Sequence, residues 1–154
     1  MILHEAVVIH APLETVWDVF SSVEHWKKWN PVCRECRLET GDAAMRAGAC
    51  ISFELRPLLI PMRIAPVVTT CEAGRRIIWS GSKWGIHARH TFNFEETADG
   101  VKLESIEAFS GPMLWPARLI GIPRRLRQLT GQLLDAVKHT AEARYEAQGE
   151  RQAK

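Results

Sequence analysis

Several things are scarce in this 154-residue chain, and each scarcity closes off a class of function. Cysteine occurs four times (Cys33, Cys36, Cys50, Cys71), too few and too scattered for a disulfide scaffold. Cys33 and Cys36 have C-x-x-C spacing, but no second such pair and no nearby histidine pair completes a zinc site. If that stretch is a strand, an offset of three puts the two thiols on opposite faces. Reduced, structural cysteines are therefore expected. No run approaches the ~20 apolar residues needed to span a bilayer, and the N-terminus has no charged-then-apolar signal pattern. A cytoplasmic location without stable membrane insertion is the expectation. Glycine-rich phosphate loops are absent, G-x-G-x-x-G included, so no nucleotide cofactor is expected. The six histidines are dispersed, and His87 and His90, three apart on a strand, face opposite ways. No metal, and no cofactor of any kind, is expected, and no Ser-His-Asp arrangement can be argued.

Acidic side chains are scarce at one end only. Residues 118–154 carry eight Lys/Arg against four Asp/Glu, while the rest carries twelve against fourteen, within a net charge of +2. Arg118, Arg124, Arg125 and Arg127 cluster without the interleaved aromatics of a nucleic-acid platform, so nucleic acid is not an expected partner. That cluster reads either as a solvated helix face or as a place to meet an anionic head group or lipid surface.

What is plentiful is ordinary: 46% hydrophobic and 25% charged residues describe a globular chain. A single domain over 1–147 is expected, with 148–154 as a disordered tail and the protein a monomer or homodimer. A chain of this length buries about 68–70% of its unfolded surface.

Residues 2–10 are rich in β-branched side chains and read as a strand. Pro12 sits where the first turn of a helix tolerates it, and Leu13, Val16, Trp17 and Phe20 give that short helix an apolar face. Ser22 is placed to cap a second short helix carrying Trp26 and Trp29, which Pro31 ends. From Val32 to Gly111 turn signals at Gly41-Asp42, Ala47-Gly48, Ala73-Gly74, Gly81 to Gly85 and Asp99-Gly100 divide a meander. Its strands are predicted at 33–40, 49–56, 63–72, 75–81, 86–96 and 101–110. Pro57, Pro61 and Pro66 make 57–66 an edge, a bulge or a flap. Beyond Gly111, Leu126, Leu129, Leu133, Val137 and Ala141 recur at threes and fours, predicting an amphipathic helix roughly 36 Å long over 124–147.

The last hairpin can be put in register from its turn. With Ala98-Asp99 at the tip, Phe94 opposes Leu103, Phe92 opposes Ser105, and His90 opposes Glu107. One face then holds Ala88, His90, Phe92, Phe94, Leu103, Ser105, Glu107 and Phe109, and is the inner one. His90 and Glu107 are polar residues on an apolar face, about 4.5–5.5 Å apart at Cβ. Such a carboxylate is costly unless paired, and a paired histidine can act as an oriented acid or base. The pair either lines a pocket and touches a ligand or is a buried pair that satisfies itself. Six tryptophans are many for this length. Trp17, Trp26 and Trp29 are expected to pack the short helices under the sheet, with Trp79 and Trp84 lining a cavity or filling core and Trp115 at a lip.

Ala-Pro-x-x-x-Val-Trp-x-Val-Phe-Ser-Ser at 11–22, His-Trp-x-x-Trp-Asn-Pro at 25–31, His-x-Phe-x-Phe at 90–94 and Glu-x-Phe-Ser-Gly at 107–111 resemble the START-like (SRPBCC, helix-grip) superfamily. The resemblance runs over about 2–147 and is nearest to the polyketide cyclase/dehydrase and lipid-transport branch. It implies an α+β fold, β-α-α-β6-α, with a seven-stranded curved antiparallel sheet wrapped around a long C-terminal helix and a cavity between them. It implies inward positions Phe53, Trp79, Trp84, His90, Phe92, Glu107 and Phe109, with Leu126, Leu129 and Leu133 from the helix and Met113, Leu114 and Trp115 near the entrance. Pro116 and Pro123 depart from the usual pattern and predict that the first turns of the terminal helix are kinked or separate.

Function follows the scaffold only coarsely, because this fold hosts many activities. The leading expectation is binding or transport of a hydrophobic small molecule (lipid, isoprenoid or polyketide-like). The alternative is a cofactor-independent polyketide cyclase/dehydratase, with His90 as acid/base oriented by Glu107. A third is an interaction protein using the basic segment and the 57–66 flap against a protein or membrane.

Overall fold

The computed structural model of the chain describes residues 1–39, 41, 44–56 and 61–152. Asp42 of the expected first turn and residues 57–60 of the proline-rich stretch lie outside the described residues. Strand β1 (Ile2–Ile9) leads into helix α1 (Leu13–Ser21), a 3-10 turn (Val23–His25) and helix α2 (Trp26–Trp29). Strands β2 (Arg34–Leu38), β3 (Ile51–Leu55), β4 (Met62–Ile64), β5 (Val67–Glu72), β6 (Arg76–Lys83), β7 (Ile86–Thr97) and β8 (Gly100–Ser110) form the meander. Helices α3 (Leu114–Leu119) and α4 (Ile122–Gln152) complete the chain.

The strands pair antiparallel in two sheets, β1-β8-β7-β6-β5 and β2-β3-β4. Among the described residues eight strands replace the seven expected, for a local reason. The stretch predicted as one strand over 63–72 breaks at Ala65-Pro66, because proline fixes φ and has no N–H for the ladder. Its first half pairs with β3 and its second with β6. The sheets stay joined there: Cys50 bridges Val67, and Ile51 N donates to the Pro66 carbonyl at 2.9 Å. Together they form one strongly curved surface.

The hairpin register is the one read from the turn, with His90 opposite Glu107, Phe92 opposite Ser105 and Phe94 opposite Leu103. Its closing pair is Thr97 and Gly100, and Gly100 has φ 131°, a conformation that disfavours side chains.

The two prolines near the helix start act as expected. Pro116 lies in the first turn of α3, Gly121 (φ 79°) ends that short helix, and Pro123 lies in the first turn of α4. The helix α4 is longer than the sequence suggested. It runs 31 residues to Gln152, about 46 Å, so 148–152 is helical where a disordered tail was expected. Leu129, Leu133, Val137 and Ala141 are buried, together with Leu134, and Leu126 is half-buried nearer the helix start. Polar ties at the flanks fix its position: Arg127 to Glu5 at 3.0 Å, Lys138 Nζ to the Val8 carbonyl at 2.6 Å, and His10 N–H to Glu142 at 2.8 Å.

Size grades along the concave face of the sheet and decides where the core ends. Toward the β7–β8 turn, Phe94 and Phe92 meet Phe20 of α1 at ring-centroid distances of 5.4 and 4.6 Å, and Trp17 packs edge-on to Phe94 at 5.2 Å. Trp26 is completely buried and donates its indole N–H to the Phe20 carbonyl at 2.9 Å. Toward the opposite end, the inner row across β6, β7 and β8 is Gly81, Ala88 and Phe109. Two small side chains there leave space that α4 does not reach into.

The C-x-x-C pair departs from the strand alternation expected of it. A bulge between Arg34 and Arg37 puts Glu35 at φ 49°, so both thiols turn inward and are buried. Cys36 Sγ donates to the Cys33 carbonyl at 2.9 Å, and all four cysteines are free. The neighbouring Cys36 thiol, followed by burial, pushes Cys33 well above the usual thiol pKa.

Candidate ligand cavity

The space left at the Gly81–Ala88 end is a cavity of about 500 Å3 between the sheet and the N-terminal half of α4. Such a volume lies within the ~300–1,000 Å3 of small-molecule sites. Strands β3 and β4 supply Phe53 and Ile64, β6 supplies Trp79, and β7 and β8 supply Ala88, His90, Glu107 and Phe109. Helix α4 contributes Leu126, Leu129 and Leu133, one stripe at helical spacing. The turn after β6 and the chain around α3 close one side, with Trp84, Met113 and Ile120 on the rim.

A buried polar cluster interrupts this wall. His90 Nδ1 lies 2.9 Å from Glu107 Oε1, with both side chains close to nine-tenths buried. The other ring nitrogen, Nε2, is 2.6 Å from Ser105 Oγ. Thr130 of α4 donates its hydroxyl to Glu107 Oε1 at 3.2 Å, so helix and sheet are joined across the cavity floor. The second carboxylate oxygen, Oε2, is sheltered and has no hydrogen-bond partner among the described residues. The imidazole also stacks on Phe92 at 4.0 Å and meets Trp79 edge-on at 5.3 Å, which fixes its plane.

Both imidazole nitrogens are thus engaged by protein groups. The ring presents neither a free lone pair nor a free N–H to the cavity, and a proton exchanged with an occupant would require breaking the Ser105 contact or passing through Glu107. Among the described residues, no three His, Cys, Asp or Glu side chains converge to hold a metal.

Of the residues predicted to line the site, Phe53, Trp79, Trp84, His90, Glu107, Phe109, Leu126, Leu129 and Leu133 surround the cavity. Phe92 does not. It is completely buried behind His90, in the aromatic core with Phe20 and Trp79. Trp115 does not either: it projects from α3 and is 70% exposed. Sequence reasoning missed Trp26, which packs under α1 yet reaches the wall, and Thr130, whose partner lies on another element. Thr130 sits on the same stripe as Leu126 and Leu133, so its inward position was legible in the spacing; its role was not.

A curved antiparallel sheet gripping one long helix, with an apolar chamber between them, defines the helix-grip class. Within it the chain belongs to the family described as polyketide cyclase/dehydrase and lipid transport, whose match covers residues 2–142. No curated protein matches the chain. Among solved structures it is similar to TTHA0849 of Thermus thermophilus, at 12% identity and a TM-score of 0.77, over 93% of this chain and 98% of that one. It is also similar to a START superfamily protein of Mycobacterium smegmatis, at 15% identity and TM-score 0.67, over 95% and 97% of the two chains. A third similar structure is StfQ, a di-domain ARO/CYC of the steffimycin biosynthetic pathway, at 13% identity and TM-score 0.75, over 93% of this chain and 51% of that one. At such identities these likenesses establish the fold alone. No helix among the described residues is long and apolar enough to cross a membrane.

Proposed function

We propose that this protein binds or carries a hydrophobic small molecule (a lipid, isoprenoid or polyketide-like compound) in the cavity between the sheet and α4. The observation that carries the reading is a largely apolar chamber of about 500 Å3 in whose wall the His90 imidazole is already engaged at both nitrogens. Burying apolar surface in such a chamber yields roughly 25 cal/mol per Å2 without any need for catalytic groups. The Glu107 carboxylate in the wall disfavours an occupant carrying a carboxylate, which would meet like charge, so one carrying a hydroxyl fits better.

The test is native mass spectrometry of the purified protein, followed by titration with a fluorescent fatty alcohol and the corresponding fatty acid. The alcohol should bind more tightly, and Ala88→Trp, which fills the small-residue row, should abolish uptake of both. A protein that takes up neither probe, or an Ala88→Trp variant that still does, overturns the reading.

A second reading, a cofactor-independent cyclase or dehydratase, is favoured by the oriented His90–Glu107 pair in the wall. In that reading His90 moves a proton and the shaped, dry chamber supplies proximity. Its test is His90→Gln in a turnover assay with a linear poly-β-ketone substrate: loss of turnover with retained uptake supports it, and unchanged turnover removes it.

A further inference from the structure

Among the described residues nine large hydrophobic side chains are exposed, and five of them gather at the cavity mouth: Trp84, Met113, Trp115, Leu119 and Ile120. Trp84, Trp115, Leu119 and Ile120 are between 63% and 70% exposed. The β6–β7 turn and α3 are neighbours in space, because a Cβ on Gly85 would lie 3.1 Å from Met113 Cγ. The turn that carries Trp84 thus lies against the start of α3, on which Trp115 and Leu119 are one helical turn apart, and exposed apolar side chains grouped on neighbouring segments mark an interaction surface.

The backbone at Trp84 points the same way. The turn closed by Lys83 and Ile86 has both central residues at positive φ, 50° at Trp84 and 72° at Gly85. Asparagine, aspartate or glycine ordinarily occupies the first of these positions. A tryptophan there costs about 1–2 kcal/mol of left-handed strain and leaves its ring mostly in water. Its nearest ring partner is the Lys83 ammonium, 5.4 Å from the ring centroid.

Charge completes the pattern. Between Glu107 and Asp135 the chain has no acid and four arginines. Arg127 pairs with Glu5 and Arg125 reaches Gln128, whereas Arg118 and Arg124 are exposed and have no acidic partner among the described residues. Two tryptophans at the tips of the patch, aliphatic residues between them and cations alongside match the preferences of a lipid headgroup boundary. A second copy of this chain fits worse, because a two-fold contact would bring the same arginines face to face.

We propose that the mouth of the cavity, α3 and the Trp84 turn, is a peripheral docking surface for a phospholipid bilayer containing anionic lipid. Trp84, Trp115 and Leu119 enter the interfacial layer, and Arg118 and Arg124 meet lipid phosphates. Met113 and Ile120 belong to both the patch and the cavity rim, so docking joins the chamber to hydrocarbon without an intervening water layer. The exposed face would dock in this way whatever the chamber holds.

Vesicle flotation of the intact protein tests this, with phosphatidylcholine alone and with phosphatidylcholine mixed with phosphatidylglycerol. Binding should require the anionic lipid and weaken as salt rises. Arg118→Gln and Arg124→Gln should each lower the partition coefficient about five-fold. Leu119→Glu should abolish binding while thermal stability and uptake of the fluorescent alcohol stay unchanged, since Leu119 is outside the cavity wall. Absence of wild-type binding to the mixed vesicles, or Leu119→Glu binding as well as wild type, overturns the proposal. So does sedimentation showing a homodimer that Leu119→Glu dissolves, which would assign the patch to a second copy. Retained probe uptake with lost flotation separates failure of docking from failure of the binding function.

Discussion

Removing the His90 imidazole should be far more damaging than removing it together with its partner. In His90→Leu, the Glu107 carboxylate keeps only the Thr130 hydroxyl, with its other oxygen already unpartnered. Side-chain exposures of 12% for His90 and 13% for Glu107 leave little water to compensate. Breaking a buried pair of this kind costs about 3–5 kcal/mol. In Glu107→Leu the orphaned groups are neutral-capable, a ring nitrogen and the Thr130 hydroxyl, and the cost is about 1–3 kcal/mol. The double variant His90→Leu/Glu107→Leu leaves only the Ser105 and Thr130 hydroxyls behind, and Thr130 can turn to the carbonyl one helical turn back. Its cost should be about 1–3 kcal/mol, well under the sum of the singles, for a coupling of roughly 3–5 kcal/mol. In a chain of this length His90→Leu alone should lower Tm by roughly 6–20 °C. Urea and thermal unfolding of all four proteins supply the cycle. Additive losses, with the double variant as unstable as the two singles combined, would refute the reading of these groups as a mutually dependent buried pair.

Two further outcomes follow from local geometry and charge. Gly111→Ala should destabilise by more than ~1 kcal/mol, because φ is 115° and a Cβ would run into the Gly85 carbonyl oxygen; a urea midpoint equal to wild type would contradict this. Acid should destabilise the protein partly through Glu104, whose carboxyl is held below its ordinary pKa by hydrogen bonds from Asn93 first and His4 second. Since the folded value is the lower one, that stabilisation is complete above the unfolded value of about 4.3 and is lost as pH falls through the folded value. Glu104→Gln should therefore flatten the stability profile below about pH 4, and an unchanged slope there would discount the contribution.

Most of the architecture was legible because it rests on local rules. Period-two alternation, turn residues and a countable hairpin tip were enough to oppose His90 to Glu107, and the helical stripe was enough to turn Leu129 and Leu133 inward. The misreadings came where one residue overrode its element. Pro66 divided a strand, the Glu35 bulge turned Cys36 inward beside Cys33, and Phe92, on the inner face as predicted, was placed in the core rather than the cavity. Trp115 stands near the entrance, where the resemblance put it, but outside the cavity lining, and a six-residue helix has too little periodicity to show which way it faces.

The sequence by itself determined the general order of elements, the inner face of the last hairpin and the pairing that makes a buried imidazole and carboxylate neighbours, since these depend on backbone geometry and residues close in the chain. Only the tertiary structure decided that Thr130 completes that pair from α4, that Ser105 takes the second ring nitrogen, and that Gly81 and Ala88 border the cavity. Those facts depend on how far a helix stands from a curved sheet, a distance set by the summed packing of residues far apart in the chain.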